Sequence, residues 1–268
     1  MMEDWLEIHR GNAPLVIGFP HTGTDIPADI EARFLSPWLA RKDADWWIER
    51  LYAFARSLDV TTVRTRISRS VIDVNRDPSG ASLYPGQATT GLCPTTSFAG
   101  EPLYAGTPPD AAEIDRRRAT WFDPYHAALS AEIARLRAAH DKVVLYDAHS
   151  ILSHIPRLFD GTLPQFNIGT NGGTTCDPAL TRAVETVVVA SGRDHIVDGR
   201  FRGGWTIRHY GRPERGVHAI QMELAMRGYL AEPDAITAEN WPALFDPATP
   251  LIADLTQILQ ACLAFARH

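Results

Sequence analysis

The run Val143-Val144-Leu145-Tyr146-Asp147-Ala148-His149-Ser150 sets four apolar residues directly before an acid and a histidine. A compact apolar stretch of this length reads as a buried strand, and the polar residues that follow fall at the strand's end. Outward from it, Pro14 to Phe19 is a second short apolar run, ending in Pro20-His21, and Val60 to Val63 and Val71 to Val74 read as further strands. Residues 217–224 alternate, with His218, Ile220, Met222 and Leu224 on one face and Val217, Ala219, Gln221 and Glu223 on the other. Helical patterns lie between the strands. Trp47, Leu51, Phe54 and Leu58 share one face of a helix over 44–58. Phe122, Tyr125, Leu129, Ile133 and Leu136 share one face of a helix over 113–139, which Pro124 kinks or breaks. Asp177-Pro178 offers an N-cap and a proline at the first helical position for a helix to Ala190, and Leu251, Leu255, Ile258, Cys262 and Leu263 recur at helical spacing. Strands alternating with helices predict an α/β fold, a mixed, largely parallel sheet flanked by helices, in one domain over residues 1–268.

Composition narrows the function. The chain of 268 residues has 26 Lys and Arg against 32 Asp and Glu, a formal charge of −6, and 45% hydrophobic residues. That excludes disorder as the main state, and the acidic balance argues against a nucleic-acid partner, which would demand a surplus of cations. No stretch approaches the ~20 apolar residues of a membrane span, and MMEDWLEIHR lacks the basic-then-apolar order of a signal peptide. The expected compartment is the cytoplasm, with no membrane partner. Cys93, Cys176 and Cys262 are far apart and odd in number, which leaves buried thiols rather than disulfides or a CxxC metal knot. The Pro- and Gly-rich stretch Asp77 to Pro109 is long enough to predict an ordered, functional loop. Neither a phosphate-binding GxxxxGKS/T pattern at Asn167 to Gly173 nor a GxSxG elbow at Ser150 is present.

In open α/β sheets, ligands sit beyond the carboxyl ends of the strands. His21 lies just past the Pro14–Phe19 strand, His149 just past the Val143–Tyr146 strand, and Glu223 near the end of the alternating strand. Two histidines and a carboxylate are a donor set for catalytic zinc, which keeps a fourth position for water. Asp25, Asp43, Asp45 and Asp147 are all candidates for the carboxylate. Asp45 equally suits an N-cap of the 44–58 helix, and Asp147, two residues before His149 on the same side, suits a hydrogen-bonding partner of that histidine. A glutamate buried in an apolar strand has its pKa raised toward neutrality, as a general base and acid requires; the plainer alternative for Glu223 is an ion pair with Arg227. Two arginine-rich segments, residues 68–78 and 202–212, suggest a small anionic substrate, because a guanidinium grips a carboxylate through two parallel contacts.

Several segments together resemble, in order and over nearly the whole chain, the N-formylglutamate amidohydrolases. They are Pro20-His21-Thr22-Gly23-Thr24-Asp25-Ile26-Pro27, Asp43-Ala44-Asp45-Trp46-Trp47, Ser68-Arg69 through Asn75-Arg76-Asp77-Pro78, Tyr146-Asp147-Ala148-His149-Ser150, Gly203-Gly204-Trp205-Thr206-Ile207-Arg208-His209-Tyr210-Gly211 and Gln221-Met222-Glu223-Leu224. The resemblance implies a zinc-carboxypeptidase-like (phosphorylase/hydrolase-like) fold and the hydrolysis of N-formyl-L-glutamate to formate and L-glutamate, a step of histidine breakdown. It implies one divalent metal ion, zinc, held by His21, Asp45 and His149, with Glu223 as general base and acid. Carboxypeptidase-like sites often place a carboxylate three residues after the first histidine. That position here is Thr24, and broader relatives keep the aspartate matching Asp45 rather than Asp25. Arg69, Arg76 and Arg208 are the expected cations for the two substrate carboxylates, with Asn75 and Thr206 adding hydrogen bonds. Two alternatives stand beside this reading: a zinc hydrolase of another N-acyl amino acid or small peptide, and a non-catalytic dicarboxylate-binding protein.

Overall fold

The computed structural model of the protein describes residues 4–268. In chain order the elements are β1 (Leu6–His9), β2 (Leu15–Phe19), α1 (Ala28–Glu31), α2 (Ile48–Leu51), β3 (Thr61–Thr65), α3 (Ala111–Arg117), α4 (Asp123–Arg137), β4 (Val143–Ile151), β5 (Phe166–Gly169), α5 (Pro178–Ala190), β6 (His195–Val197), α6 (Trp205–Tyr210), β7 (Val217–Ala225) and α7 (Leu251–Arg267). The sheet has seven strands in the order β1-β3-β2-β4-β7-β5-β6. Its centre, β3-β2-β4-β7, is parallel; β1 pairs antiparallel with β3, and β5 antiparallel with β7.

Side-chain alternation decides which helices cover which face. Leu15 and Ile17 of β2, Val144 and Tyr146 of β4, and Ile220 and Met222 of β7 are fully buried in one core with Leu180, Val184 and Val188 of α5 and Leu255, Ile258 and Leu259 of α7. Val16, Val143, Leu145 and Ala219 point the other way, against Tyr125, Leu129, Ile133 and Leu136 of α4. Each aliphatic side chain so buried contributes roughly 1.5–3 kcal/mol. The predicted cap of α5 is formed: Asp177 Oδ1 accepts from the Ala179 N–H at 2.7 Å, with Pro178 at the first position.

Toward the carboxyl ends the α4 face turns polar. On β4, Val143 and Leu145 are followed by Asp147 and His149, and on β7, Ala219 is followed by Gln221 and Glu223. Gly18 of β2 makes room for this change. A Cβ there would lie 3.0 Å from Asp147 Oδ1 and 3.6 Å from the Tyr125 hydroxyl.

Four expectations are corrected. Residues 44–58 do not form one helix: α2 starts at Ile48 after Trp47, whose φ is +64°, and a 3-10 turn covers Ala53–Leu58. The Asp45 N–H donates to the His21 carbonyl at 3.0 Å, which ties this segment to the end of β2 and prevents a helical start at Ala44; Asp45 therefore caps no helix. Residues 71–74 are turns rather than a strand. Val71, Ile72 and Val74 pack in the α4-side core, while the Val71 N–H returns to Ser68 and the Asp73 N–H goes to Leu92. β4 runs on to Ile151, so His149 stands inside the strand rather than past it. The predicted helix over 113–139 holds, as α3 and α4 joined by a π turn, Arg118–Phe122, where a break was expected just ahead of Pro124, which has no N–H to continue the regular ladder. All three cysteines are buried and unpaired. Among the described residues, no helix is long and apolar enough to cross a membrane.

Candidate active site

Three central strands deliver the polar groups. His21 follows β2 by two residues, and His149 of β4 sits in register with Glu223 of β7. Asp45 arrives from the turn before α2. The two histidine Nδ1 atoms are 3.1 Å apart, and Asp45 Oδ2 lies 3.8 Å from that of His21 and 3.3 Å from that of His149. These three buried groups bring their donor atoms within 4.8 Å of one another, close enough to hold a metal ion.

The outer nitrogen of each ring is already engaged. His21 Nε2 donates to Asp73 Oδ1 at 2.6 Å and His149 Nε2 donates to Asp147 Oδ2 at 2.8 Å. A carboxylate behind a histidine fixes its tautomer and turns the other nitrogen inward, as in metal sites generally. Asp45 Oδ2 accepts from the Ser150 N–H at 3.0 Å, whereas Oδ1 is buried with no hydrogen-bond partner among the described residues. Two inward imidazole nitrogens and a carboxylate with an unmet acceptor fit a divalent cation of the zinc type.

Charge and burial compete throughout. Burial, with the Arg69 charge, lowers the His21 pKa more than Asp73 restores it. Burial also works against His149, but the Asp147 charge and hydrogen bond outweigh it and hold this imidazole well above its usual value. Asp73 lies well below the usual carboxylate range: burial would raise it, but the charges of His21, Arg69 and Arg76 outweigh that. Glu223 goes the other way. It is 7% exposed, and burial, assisted by the Asp45 and Asp147 charges, pushes it up to about 7 against the opposing pull of His149 and Arg69. Its Oε2 accepts from the Gln221 amide at 3.1 Å. The ion pair with Arg227 is not formed, since Arg227 pairs with Asp194 at 3.0 Å.

These groups open on a cavity of about 580 Å³, mouth included, whose wall includes His21, His149, Glu223, Arg69, Arg76 and Arg200. The N-formylglutamate amidohydrolase family model matches residues 13–230. The N-formylglutamate deformylase of Pseudomonas aeruginosa is 44% identical over 271 residues, spanning 100% of this chain and 99% of that protein. This chain belongs to the N-formylglutamate amidohydrolase family. The N-formylglutamate deformylase of Pseudomonas putida is 42% identical over 266 residues, covering 98% and 97% of the two chains. In fold, the N-formylglutamate amidohydrolase of Ralstonia eutropha superposes with a TM-score of 0.81 at 24% identity, covering 98% of both chains. A protein of Agrobacterium tumefaciens superposes at 0.72 and 18%, covering 97% of this chain and 95% of that one.

In this member of the amidohydrolase family, the other predicted residues are distributed unevenly. Arg69 is buried at the donor cluster, its guanidinium 3.2 Å from His21 Nδ1, 3.6 Å from Asp45 Oδ1 and 2.7 Å from Asp73 Oδ2. Arg76 lies one step out, 3.5 Å from Asp73 and 3.1 Å from the Thr90 hydroxyl. Asn75 ties the site together. Its amide donates to Asp147 at 3.1 Å, its own N–H donates to Asp73 at 2.9 Å, and its Oδ1 accepts from the Thr206 N–H at 2.8 Å. This knot requires glycine at position 204, where a Cβ would come within 2.3 Å of the Asn75 side chain. Thr206 and Arg208 stand off the cavity wall. Thr206 meets Asn75 through its backbone, and Arg208 donates to the carbonyls of Gly203 and Leu83. Asp25 is paired with Arg66 at 2.9 Å, and Asp43 accepts from the Phe98 N–H at 2.6 Å, so neither joins the donor cluster.

Two residues of the site escaped the sequence reading. Asp73 was hidden inside the supposed strand, although an acid between Ile72 and Val74 and bracketed by Arg69 and Arg76 is a signal for a buried ion pair. Arg200 lies two residues ahead of the arginine-rich segment 202–212.

Proposed function

We propose that this chain hydrolyses N-formyl-L-glutamate to formate and L-glutamate, as a cytoplasmic enzyme of histidine breakdown and as one catalytic domain over residues 1–268. The observation that carries the proposal is the convergence of His21, Asp45, His149 and the neutral-range Glu223 in one arginine-lined cavity of a chain from this family. The relatives named N-formylglutamate deformylase at 44% and 42% identity support the substrate.

His21, Asp45 and His149 would hold zinc. Bound there, a zinc ion supplies Lewis acidity toward the formyl oxygen and toward a water molecule. Glu223 takes the proton from the attacking water as its oxygen bonds to the formyl carbon, and delivers that proton to the glutamate nitrogen as the C–N bond breaks. A carboxyl with a pKa near 7 is suited to both transfers. Asp73 and Asp147 keep the two rings in one orientation, and Asn75 holds Asp147 in place. Arg69, beside the donor cluster, opposes the negative charge that grows on the formyl oxygen, and Arg76 receives a substrate carboxylate. A non-catalytic dicarboxylate carrier would need these arginines but not the buried His-Asp-His cluster facing Glu223.

The test is formate release by the purified protein from N-formyl-L-glutamate, compared with N-acetylglutamate, N-formylaspartate and N-formylmethionine. Preference for N-formylglutamate is expected. No formate from any formyl compound would overturn the proposal.

A further inference from the structure

Arg200 is a cation without a counter-ion. Its Nε donates to the Leu158 carbonyl at 2.7 Å and its Nη2 to the Ala88 carbonyl at 2.9 Å, and its guanidinium packs beside the rings of Tyr84, at 5.4 Å, and Phe201, at 5.3 Å. No carboxylate among the described residues lies within ion-pair distance of it. Burial and the nearby Arg76 charge both disfavour its charged form. The two carbonyls fix the plane of the fork and leave its remaining N–H groups for the cavity that Arg200 lines together with Arg76 and Glu223. Three cations facing one cavity, of which Arg69 and Arg76 share Asp73 and Arg200 is unpaired, make a site that gains from an incoming anion.

The three cavity arginines are graded outward from the donor cluster. Arg69 touches His21 and Asp45 directly, Arg76 reaches only Asp73, and Arg200 touches none of these. A substrate whose amide lies at the cluster has the same grading. Its α-carboxylate is attached to the carbon next to the amide nitrogen, and a glutamate side-chain carboxylate lies two methylenes further away.

We propose that Arg200 binds the side-chain carboxylate of the N-acyl amino acid and so restricts the site to dicarboxylic substrates, with loop residues Tyr84 and Ala88 holding its guanidinium in position. This rests on the activity proposed above. It makes Arg200 a specificity-determining residue, distinct from Arg69 and Arg76.

The experiment compares N-formyl-L-glutamate with N-formyl-L-norvaline, which keeps the chain length but lacks the distal carboxylate, in the wild type, Arg200→Gln and Arg200→Lys. A hydrogen bond to a charged group contributes enough that Arg200→Gln should lose about 30- to 100-fold in kcat/KM on N-formylglutamate, mainly through KM. N-formylnorvaline should change by less than about 3-fold, and Lys, a cation without the fork, should restore part of the loss. Equal losses on both substrates, or no loss on either, would overturn the assignment. Calorimetric titration with L-glutamate and L-norvaline gives the same comparison without turnover: the wild type should prefer glutamate and Arg200→Gln should lose that preference. If the wild type releases no formate, the activity proposal fails while the titration still decides the role of Arg200; equal preference in wild type and Arg200→Gln would refute it.

Discussion

Replacing Asp147 with asparagine removes a charge and leaves the shape. Asp147 is fully buried, and its Oδ2 accepts from His149 Nε2 at 2.8 Å and from the Asn75 amide at 3.1 Å. An asparagine oxygen can keep both contacts, so the variant isolates the charge on the far side of a proposed metal ligand. A hydrogen bond to a charged group contributes roughly 1.5–3 kcal/mol and a neutral one roughly 0.5–1.5, a difference of about 1–1.5 kcal/mol. That corresponds to about tenfold weaker metal binding, the lower edge of the roughly 10–100-fold range for outer partners of ligand histidines. Asp147→Ala, which leaves the His149 N–H unpaired in dry surroundings, should approach the upper edge, about 100-fold. Competition titration of zinc against a chromogenic chelator reads both, with near-UV circular dichroism as the control for folding. In the metal-free protein the His149 imidazole should titrate well above its usual value in the wild type and lower in Asp147→Asn, followed by NMR. Unchanged zinc affinity in both folded variants would refute the claim that this carboxylate holds a ligand.

Other outcomes are equally specific. Glu223 must be ionised to accept a proton, so kcat/KM should fall as pH drops through its pKa. The metal-free value is about 7 and a bound cation lowers it, so an acid limb centred above pH 8 would contradict the assignment. Because the folded pKa of Glu223 is raised above its unfolded value, its contribution to stability is present at low pH and is lost as pH rises through about 7. Metal-free Glu223→Gln should therefore gain on the order of 3 kcal/mol on the wild type between pH 5 and pH 8, and chemical denaturation showing no such pH-dependent gain would argue against a buried, raised carboxyl. Gly18→Ala sets a methyl 3.0 Å from Asp147 Oδ1 and should cost about 1–3 kcal/mol of stability together with weaker zinc binding; a neutral result in both assays would mean that the space is not needed. Arg76→Gln should raise KM for N-formylglutamate by about 30-fold or more, whereas Arg208→Gln, off the cavity wall, should change it by less than about 5-fold, and the reverse order in steady-state kinetics would refute the placement.

Short-range pattern carried much of this fold. β2 and the first half of β4 are continuous apolar runs, β7 alternates, and the helices α5 and α7 repeat their apolar residues at helical spacing, so local pattern locates these elements, although not the polar second half of β4. The segments that fail are those bent by long-range contacts to serve the site. Asp45 is pulled out of a helical register by the His21 carbonyl, and Asp73 sits in a turn whose valines imitate a strand because they pack into the α4-side core. β5 and β6 are too short to register as a pattern, and β5 is held by its antiparallel pairing with β7. At the site, the spacing of Asp147 and His149 on one strand face was enough to predict their contact. Arg208 could not be told from Arg200 by residue type. What separates them is which carbonyls each guanidinium meets in loop 77–109, and that is a tertiary fact.

Zinc content measured alongside formate release, in the wild type, Glu223→Gln and His149→Ala, separates holding the metal from moving the proton. The wild type should carry about one zinc per chain. Glu223→Gln should keep that zinc and lose turnover by about 10²–10⁴-fold, while His149→Ala should lose the metal. Wild-type turnover in Glu223→Gln would remove it as the base, and wild-type zinc content in His149→Ala would remove that histidine as a ligand.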